Sequence, residues 1–225
     1  MSDLQVDIWA DIICPWCAIG TTQFFKAVES LRGDIDVIAR YMPFELYPDM
    51  PDEGEDHSEL LAQTYAVSVE EAADMRAKVE AAAEEAGFSM AYASAGEAPA
   101  RRVWNTHGAH KLLRWALTAG TPDTQVRLAQ ALFAAHFQQR RNISAPDILL
   151  AIAEEQGFDT EQAAAALEEE ALTIAVKLEQ KRALENHITS VPTIVVNGRY
   201  ILQGSQEAEK FASALVQIAS MEAAA

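Results

Sequence analysis

The chain has 225 residues, a length that suits one large domain or one domain with a long insertion, and half of its residues are hydrophobic. Its net charge of -17 repels phosphate backbones and anionic lipids, so we expect neither nucleic-acid nor membrane partners. No run reaches the roughly 18 apolar residues of a membrane span, and the first residues lack the basic segment of a signal peptide. We therefore expect a cytoplasmic protein.

The N-terminal part predicts a strand, a helix and a second strand. Residues 6–9 alternate as a short strand does, residues 15–31 carry apolar anchors on a helix, and residues 36–42 are typical of a strand. The only two cysteines, Cys14 and Cys17, lie where this helix begins. Both belong to one CPWC motif, which excludes a framework of structural disulfides.

The middle of the chain, from about residue 58 to residue 187, is dominated by good helix formers. Start and stop signals in this block predict several helices, and the last is long enough to be two. They cover residues 69–86, 101–119, 122–139, 147–156 and 160–185. Ser68 and Glu71 form the sequence pattern of a capping box at the start of the first.

The C-terminal part returns to strands. A β-branched run at 193–196, an Asn197-Gly198 turn and a partner run at 199–202 predict a hairpin. Residues 205–219 then predict a final helix, with Ser205 as its N-cap.

The resulting order is βαβ, a helical block, and ββα, which is a thioredoxin fold split by an insertion. We therefore predict an α/β protein with a discontinuous thioredoxin-like domain at residues 1–57 and 188–225. Residues 58–187 are predicted to form a helical insertion domain.

The two cysteines have the placement that disulfide exchange needs. Unpaired amides and the dipole at a helix N-terminus stabilise a thiolate, so Cys14 is the predicted nucleophile and the more exposed thiol. Cys17 follows by three residues, which makes the two side chains neighbours on the helix. Zinc is the alternative ligand of such a pair, but most structural zinc sites need two further ligands and the sequence has no second CxxC.

Three histidines in the helical block are interpreted as structural. His107 and His110 have the i, i+3 spacing of a metal pair, but we favour a surface or core-edge position for both. His136 lies among apolar residues and is interpreted as packed on its helix. We predict no metal site and no bound cofactor.

Three separated motifs resemble one known family. Residues 11–17 (DIICPWC), residues 105–112 (NTHGAHKL) and residues 190–193 (SVPT) resemble the DsbA-like thioredoxin superfamily, and most closely its cytoplasmic FrnE-like branch. That branch borders the 2-hydroxychromene-2-carboxylate isomerases and the kappa-class glutathione transferases. Those relatives typically have serine at the first cysteine position, whereas this chain has both Cys14 and Cys17.

The resemblance implies several roles beyond the two cysteines. It implies that Pro192 follows a cis peptide bond beside the active site, where the backbone of Val191 is free to pair with an extended substrate. It also implies that substrate contacts involve Pro15, Trp16, Asn105, Ser190 and Ser205. At Ser205, the glutathione-binding relatives hold a carboxylate of glutathione.

Three functions remain open at this point. The first is a thiol–disulfide oxidoreductase that exchanges disulfides with protein or small thiols. The second is a glutathione-dependent isomerase or transferase, with glutathione as co-substrate. The third is a binding module or chaperone that uses the helical block.

Overall fold

The computed structural model describes residues 2–51 and 53–224, so Met1, Asp52 and Ala225 lie outside the described residues. A four-stranded sheet has the strand order β2-β1-β5-β6. Strand β1 pairs in parallel with β2 and antiparallel with β5, and β5 pairs antiparallel with β6. A separate antiparallel pair joins β3 to β4. This is a thioredoxin fold, as the order of sequence elements predicts.

The strands are β1 (Ser2–Ala10), β2 (Ile35–Pro43), β3 (Glu55–Asp56), β4 (Arg102–Val103), β5 (Thr193–Val196) and β6 (Tyr200–Gln203). The first four helices in chain order are α1 (Pro15–Ser30), α2 (His57–Tyr65), α3 (Val69–Ala86) and α4 (His107–Ala119). The remaining helices are α5 (Pro122–Phe137), α6 (Pro146–Glu155), α7 (Thr160–Glu168), α8 (Glu170–Glu185) and α9 (Ala208–Ala223).

Local signals explain several of these boundaries. The Ser68 side chain and Glu71 form the predicted capping box of α3, and Gly87 ends that helix in the left-handed conformation. The long predicted helix at 160–185 is indeed two helices, because the backbone is extended at Glu169. Asn197 adopts the positive φ that a tight hairpin turn requires between β5 and β6.

The core is built on alternation along β1. Leu4, Val6 and Ile8 are fully buried and join a hydrophobic cluster that continues into the helices. Trp9 points to the opposite face, where it packs with Ala183 and Ile188. One apolar cluster therefore links the sheet to the inserted helices, and the division at residues 57/58 and 187/188 stays a prediction.

Two predicted boundaries are wrong. The helix predicted from Arg101 begins only at His107, because Arg102 and Val103 pair with β3 instead. The last helix begins at Ala208 rather than after Ser205, and Glu207 occupies the N-cap position. The amide of Ala208 donates to Oε1 of Gln23 on α1 (3.0 Å), so a tertiary contact replaces the expected serine cap.

Candidate active site

Cys14 and Cys17 lie at the N-terminus of α1, directly after the turn that follows β1. Cys14 is the N-cap residue, and its sulfur accepts a hydrogen bond from the amide of Cys17 (3.3 Å). Both cysteines are free thiols and both are buried, with Cys14 5% exposed and Cys17 fully enclosed. Cys14 is therefore the more accessible of the two thiols, as predicted.

Burial distinguishes the two sulfurs chemically. The pKa of Cys17 is raised well above its ordinary value, first by burial and then by its hydrogen bond to Cys14 and the negative charges of Cys14 and Asp11. A hydrogen bond from the backbone of Asp11 opposes the increase. A raised pKa disfavours the thiolate that disulfide exchange needs, so Cys17 is poorly suited to attack first, and the attacking role of Cys14 stays a prediction.

The loop before β5 covers the cysteines from the other side. The Val191–Pro192 peptide bond is cis, as the family resemblance implies, and the carbonyl oxygen of Val191 lies 3.9 Å from the sulfur of Cys14. The carbonyl of Pro192 accepts a hydrogen bond from the amide of Gly204 (2.9 Å), which fixes the loop to the end of β6. The sheet thereby holds this loop against α1.

Gly20 allows the loop to approach α1. A Cβ atom at this position would lie 2.9 Å from Cγ of Pro192 and 3.3 Å from Cα of Ser205, closer than side chains normally pack. We expect Gly20→Ala to displace the Pro192 loop, to slow disulfide exchange and to lower the free energy of unfolding by roughly 1–3 kcal/mol. Chemical denaturation and an exchange assay measure the two effects.

Gly108 on α4 offers the matched control for this prediction. A Cβ atom there would meet the end of the flexible Leu149 side chain, at 2.9 Å from Cδ1, rather than a fixed loop. We expect Gly108→Ala to leave exchange unchanged. Equal losses of exchange in the two variants would contradict the role assigned to Gly20.

A buried acid–histidine pair lies beneath the cysteines. Asp11 is fully buried between β1 and the CPWC motif, and its Oδ2 accepts a hydrogen bond from the amide of Leu46 (2.7 Å). Its Oδ1 lies 3.4 Å from Nε2 of His110 on α4. The carbonyl of Asp11 accepts from the amide of Cys14 (3.1 Å), so the same residue shapes the turn that carries the nucleophile.

A second pair of the same kind lies one helical turn away on α4. Nδ1 of His107 is 2.8 Å from Oε1 of Glu45, and that oxygen also accepts from Nε2 of Gln180 (2.7 Å). Both histidines of α4 therefore face carboxylates of the thioredoxin part. His107 is partly buried, as expected for a core-edge residue, whereas His110 is 2% exposed and lies in the core, where Asp11 is its partner.

The predicted substrate residues fall into two groups. Pro15 and the 45% exposed Trp16 lie between the two cysteines of the CPWC motif, and the carbonyl of Val191 faces the sulfur of Cys14. Ser190 is exposed on the loop before Val191, and its hydroxyl accepts a hydrogen bond from Nε2 of Gln203 (2.8 Å). Val191 is the one of these residues in contact with the Cys14 sulfur among the described contacts, and a substrate role for the four stays a prediction.

Two other predicted residues have different surroundings. Asn105 lies just before α4, whereas the sequence predicted it on the helix. Its Oδ1 accepts a hydrogen bond from the amide of His107 (2.8 Å), the first residue of α4. Its Nδ2 donates to the carbonyl of Met50 (3.0 Å), so the residue ties two loops together. Ser205 lies against Gly20 on α1, outside the last helix. A substrate role for either remains a prediction.

Asp11, His110 and Gly20 were not recognised as site residues from the sequence. Asp11 did give a signal, since it is a charged residue within an apolar segment just before the CPWC motif. Among the described residues no cluster of three or more metal-binding side chains occurs. Within residues 2–51 and 53–224 there is also no helix with the length and apolar character to cross a membrane.

Comparison with known proteins places this site in context. The family model described as a DSBA-like thioredoxin domain matches residues 5–216. A probable DsbA oxidoreductase from Streptomyces coelicolor superposes with a TM-score of 0.81 and 28% identity, over 95% of this chain and 89% of that one. YwbO from Bacillus subtilis, a protein described as uncharacterised, is 26% identical over 94% of this chain and 96% of its own length.

A more distant structure has the same fold. The cytosolic disulfide reductase DsbM from Pseudomonas aeruginosa superposes with a TM-score of 0.65 and 15% identity, over 96% of this chain and 99% of that chain. The same protein has also been described with GSH. The expected relationship to DsbA-like proteins and the expected fold are thus confirmed.

Proposed function

Because this chain belongs to the DSBA-like thioredoxin domain family, we propose that it is a thiol–disulfide oxidoreductase that acts through Cys14 and Cys17. The observation that carries the proposal is the position of the Cys14 sulfur. It caps α1, lies within hydrogen-bonding distance of the Cys17 amide, and faces the Val191 carbonyl beside Pro192. An attacking thiolate, a second thiol and a backbone segment for substrate thus meet at one point.

The exchange reaction has two balanced steps. In the first, the Cys14 thiolate attacks one sulfur of a substrate disulfide, so the substrate S–S bond breaks, a mixed disulfide forms and one substrate thiolate leaves. In the second, Cys17 loses its proton and attacks Cys14, which releases the second substrate thiol and oxidises the enzyme to the Cys14–Cys17 disulfide. The reverse sequence oxidises a substrate dithiol.

The surface around Cys14 suits an extended peptide or a small thiol. Trp16 is exposed next to the nucleophile and offers an apolar contact, while Val191 offers backbone groups on the opposite side. The helical insertion contributes to the site through His110 and His107, whose partners Asp11 and Glu45 lie in the thioredoxin part. The insertion therefore supports the redox centre as well as providing surface for a partner.

Small thiols belong to the same proposal. The structure of DsbM with GSH supports glutathione as a thiol partner or co-substrate for this chain, and the description of DsbM as cytosolic supports a cytoplasmic location. In a reducing compartment a CPWC pair outside a structural framework is expected to be catalytic. We propose glutathione as the reductant that returns the enzyme to its dithiol form.

Reduction of insulin by glutathione tests the function. We expect the wild-type protein to accelerate this reduction, and we expect Cys14→Ser to abolish the acceleration because no mixed disulfide can form without that sulfur. The thiol–disulfide redox potential of the wild-type pair, measured against glutathione, then gives the direction of electron flow. A wild-type protein that neither reduces insulin nor equilibrates with glutathione disulfide would refute the proposal.

Separate assays on the cysteine variants distinguish this function from that of a glutathione-dependent isomerase or transferase. That function needs bound glutathione but not a second thiol. Tight glutathione binding and an isomerase activity that both survive Cys17→Ser, without disulfide exchange, would favour it. Suppression of protein aggregation that survives loss of both thiols would favour the chaperone function.

A further inference from the structure

A group of basic side chains lies on or next to helices α2, α3 and α5. The arginine cluster consists of Arg76 on α3, Arg101 before β4 and Arg140 after α5, together with His57 and His136. The backbone holds it together, because the amide of His57 donates to the carbonyl of Arg101 (3.1 Å). Segments that are distant in the chain thus bring three permanent positive charges together.

The cluster has an excess of positive charge. Glu80 is the only carboxylate that forms an ion pair with it among the described residues, at 2.6 Å from Arg101 and 3.8 Å from Arg76. Asp56, which also faces His57, is occupied in capping α2. The whole chain has 34 acidic and 17 basic residues, so the excess at this place runs against its composition.

The positive charges are partly removed from water and repel one another. Burial, followed by the charge of Arg140, lowers the pKa of Arg101. Burial also lowers the pKa of Arg140, where the charge of Arg76 acts in the same direction and Glu80 and Tyr92 oppose it. Guanidinium groups do not deprotonate in proteins, so this repulsion costs free energy until an anion binds.

Several polar atoms of the cluster are buried without a hydrogen-bond partner among the described residues. They are Nε of Arg140, Nδ1 of His57 and Nδ1 of His136. His136 is only 6% exposed, and burial, followed by nearby positive charges, lowers its pKa to about 3, so its ring is neutral near pH 7. A buried polar atom without a partner normally costs roughly 1–3 kcal/mol, which a ligand that accepts hydrogen bonds would recover.

The backbone at Arg140 adds to this observation. Its φ is +56°, a left-handed conformation that costs a non-glycine residue free energy, and its guanidinium also donates to the carbonyl of Pro99 (3.3 Å). The hydrogen bond restrains the Arg140 side chain, whose charge acts on Arg101.

We propose that the arginine cluster is a binding site for a small oxyanion, such as a phosphate or carboxylate group. Guanidinium groups bind such oxygens with paired hydrogen bonds, and neutral imidazoles each add an N–H donor. The side chains of Arg76 and Arg101 are about a quarter exposed, at 27% and 25%, so an anion can reach them from solvent. The site is separate from the thiol chemistry proposed above.

Titration with inorganic phosphate tests the proposal on the full-length protein. We expect saturable binding by calorimetry and an increase in Tm that equal ionic strength of sodium chloride does not reproduce. Acetate and malonate, tested in parallel, distinguish a phosphate from a carboxylate ligand. The imidazole signals of His57 and His136 in NMR spectra are expected to shift during the titration.

Three variants assign the binding to the cluster. Arg140→Gln is expected to weaken binding at least about tenfold. Arg32→Gln, which removes the same charge from an exposed ion pair in the turn after α1, is expected to leave binding unchanged. Glu80→Gln removes the competing carboxylate and is expected to strengthen binding, so the proposal is testable even if Arg140→Gln does not fold. No saturable binding of phosphate or of either carboxylate, or unchanged binding in both Arg140→Gln and Glu80→Gln, would overturn it.

Discussion

Replacement of Cys17 by serine is expected to give a protein that attacks substrate disulfides but does not release them. Cys14 remains at the start of α1 and forms the mixed disulfide, while the second thiol that would resolve it is absent. We expect release to slow roughly a hundredfold or more, because external thiols must replace a sulfur held next to Cys14. Non-reducing gels should show covalent complexes that reductant removes.

The matched control for this experiment is the double variant Cys14→Ser/Cys17→Ser, which retains the fold's surface but has no sulfur. It should show no covalent complex at all. Complexes that form equally well in the double variant, or a Cys17→Ser protein that releases substrate at the wild-type rate, would contradict the assignment of the two cysteines.

Asp11→Asn tests the same release step, and we expect it to slow release without blocking it. The buried Asp11 carboxylate lies 3.4 Å from His110, and its negative charge is one of the causes that raise the pKa of Cys17. We therefore expect it to assist removal of the Cys17 proton before attack. We expect release to slow severalfold without trapping, and the pH dependence of release to change, while attack by Cys14 remains fast. A parallel loss in both steps would indicate a purely structural effect.

Acidification is expected to destabilise the protein because it contains buried neutral histidines. Burial, followed by nearby positive charges, lowers the folded-state pKa of His136 to about 3, and similar causes lower that of His57 to about 4. Both have a pKa near 6.5 when unfolded. Above pH 6.5 neither the folded nor the unfolded state binds the proton at these histidines. The free energy of unfolding therefore does not change with pH through these groups.

Below pH 6.5 the unfolded chain binds these protons and the folded chain does not. The free energy of unfolding should therefore fall by up to about 1.4 kcal/mol per pH unit for each histidine, between pH 6.5 and pH 4. Urea denaturation at several pH values measures this slope. Carboxylates with lowered pKa, such as Glu222, act at lower pH, because their stabilisation is lost only below about 4.5.

The histidine variants assign the slope. His136→Asn is expected to reduce the loss of stability on acidification, at the cost of lower stability near pH 7 from the changed packing. His187→Asn provides the control, because His187 is exposed and has a positive φ that asparagine tolerates. A wild-type protein whose stability is constant from pH 7 to pH 4.5 would contradict this account.

The sequence alone determined the βαβ and ββα elements of the thioredoxin fold and the place of the two cysteines, but not the β3–β4 pair or α2 between them. Periodicity and end signals are local properties, so the capping box at Ser68, the hairpin turn at Asn197 and the helix start at Cys14 follow from neighbouring residues. The resemblance of the three motifs added the cis bond at Pro192.

Only the tertiary structure decided which distant groups meet. Asp11 and His110 form a pair beneath Cys17, and Gly20 contacts Pro192, although neither contact leaves a pattern along the chain. The strand at Arg102 likewise exists only because β3 supplies its hydrogen-bond partner, and it displaces the start of the helix predicted there. Local propensity differs by less than about 1 kcal/mol per residue between most side chains, so burial and long-range hydrogen bonds determine these outcomes.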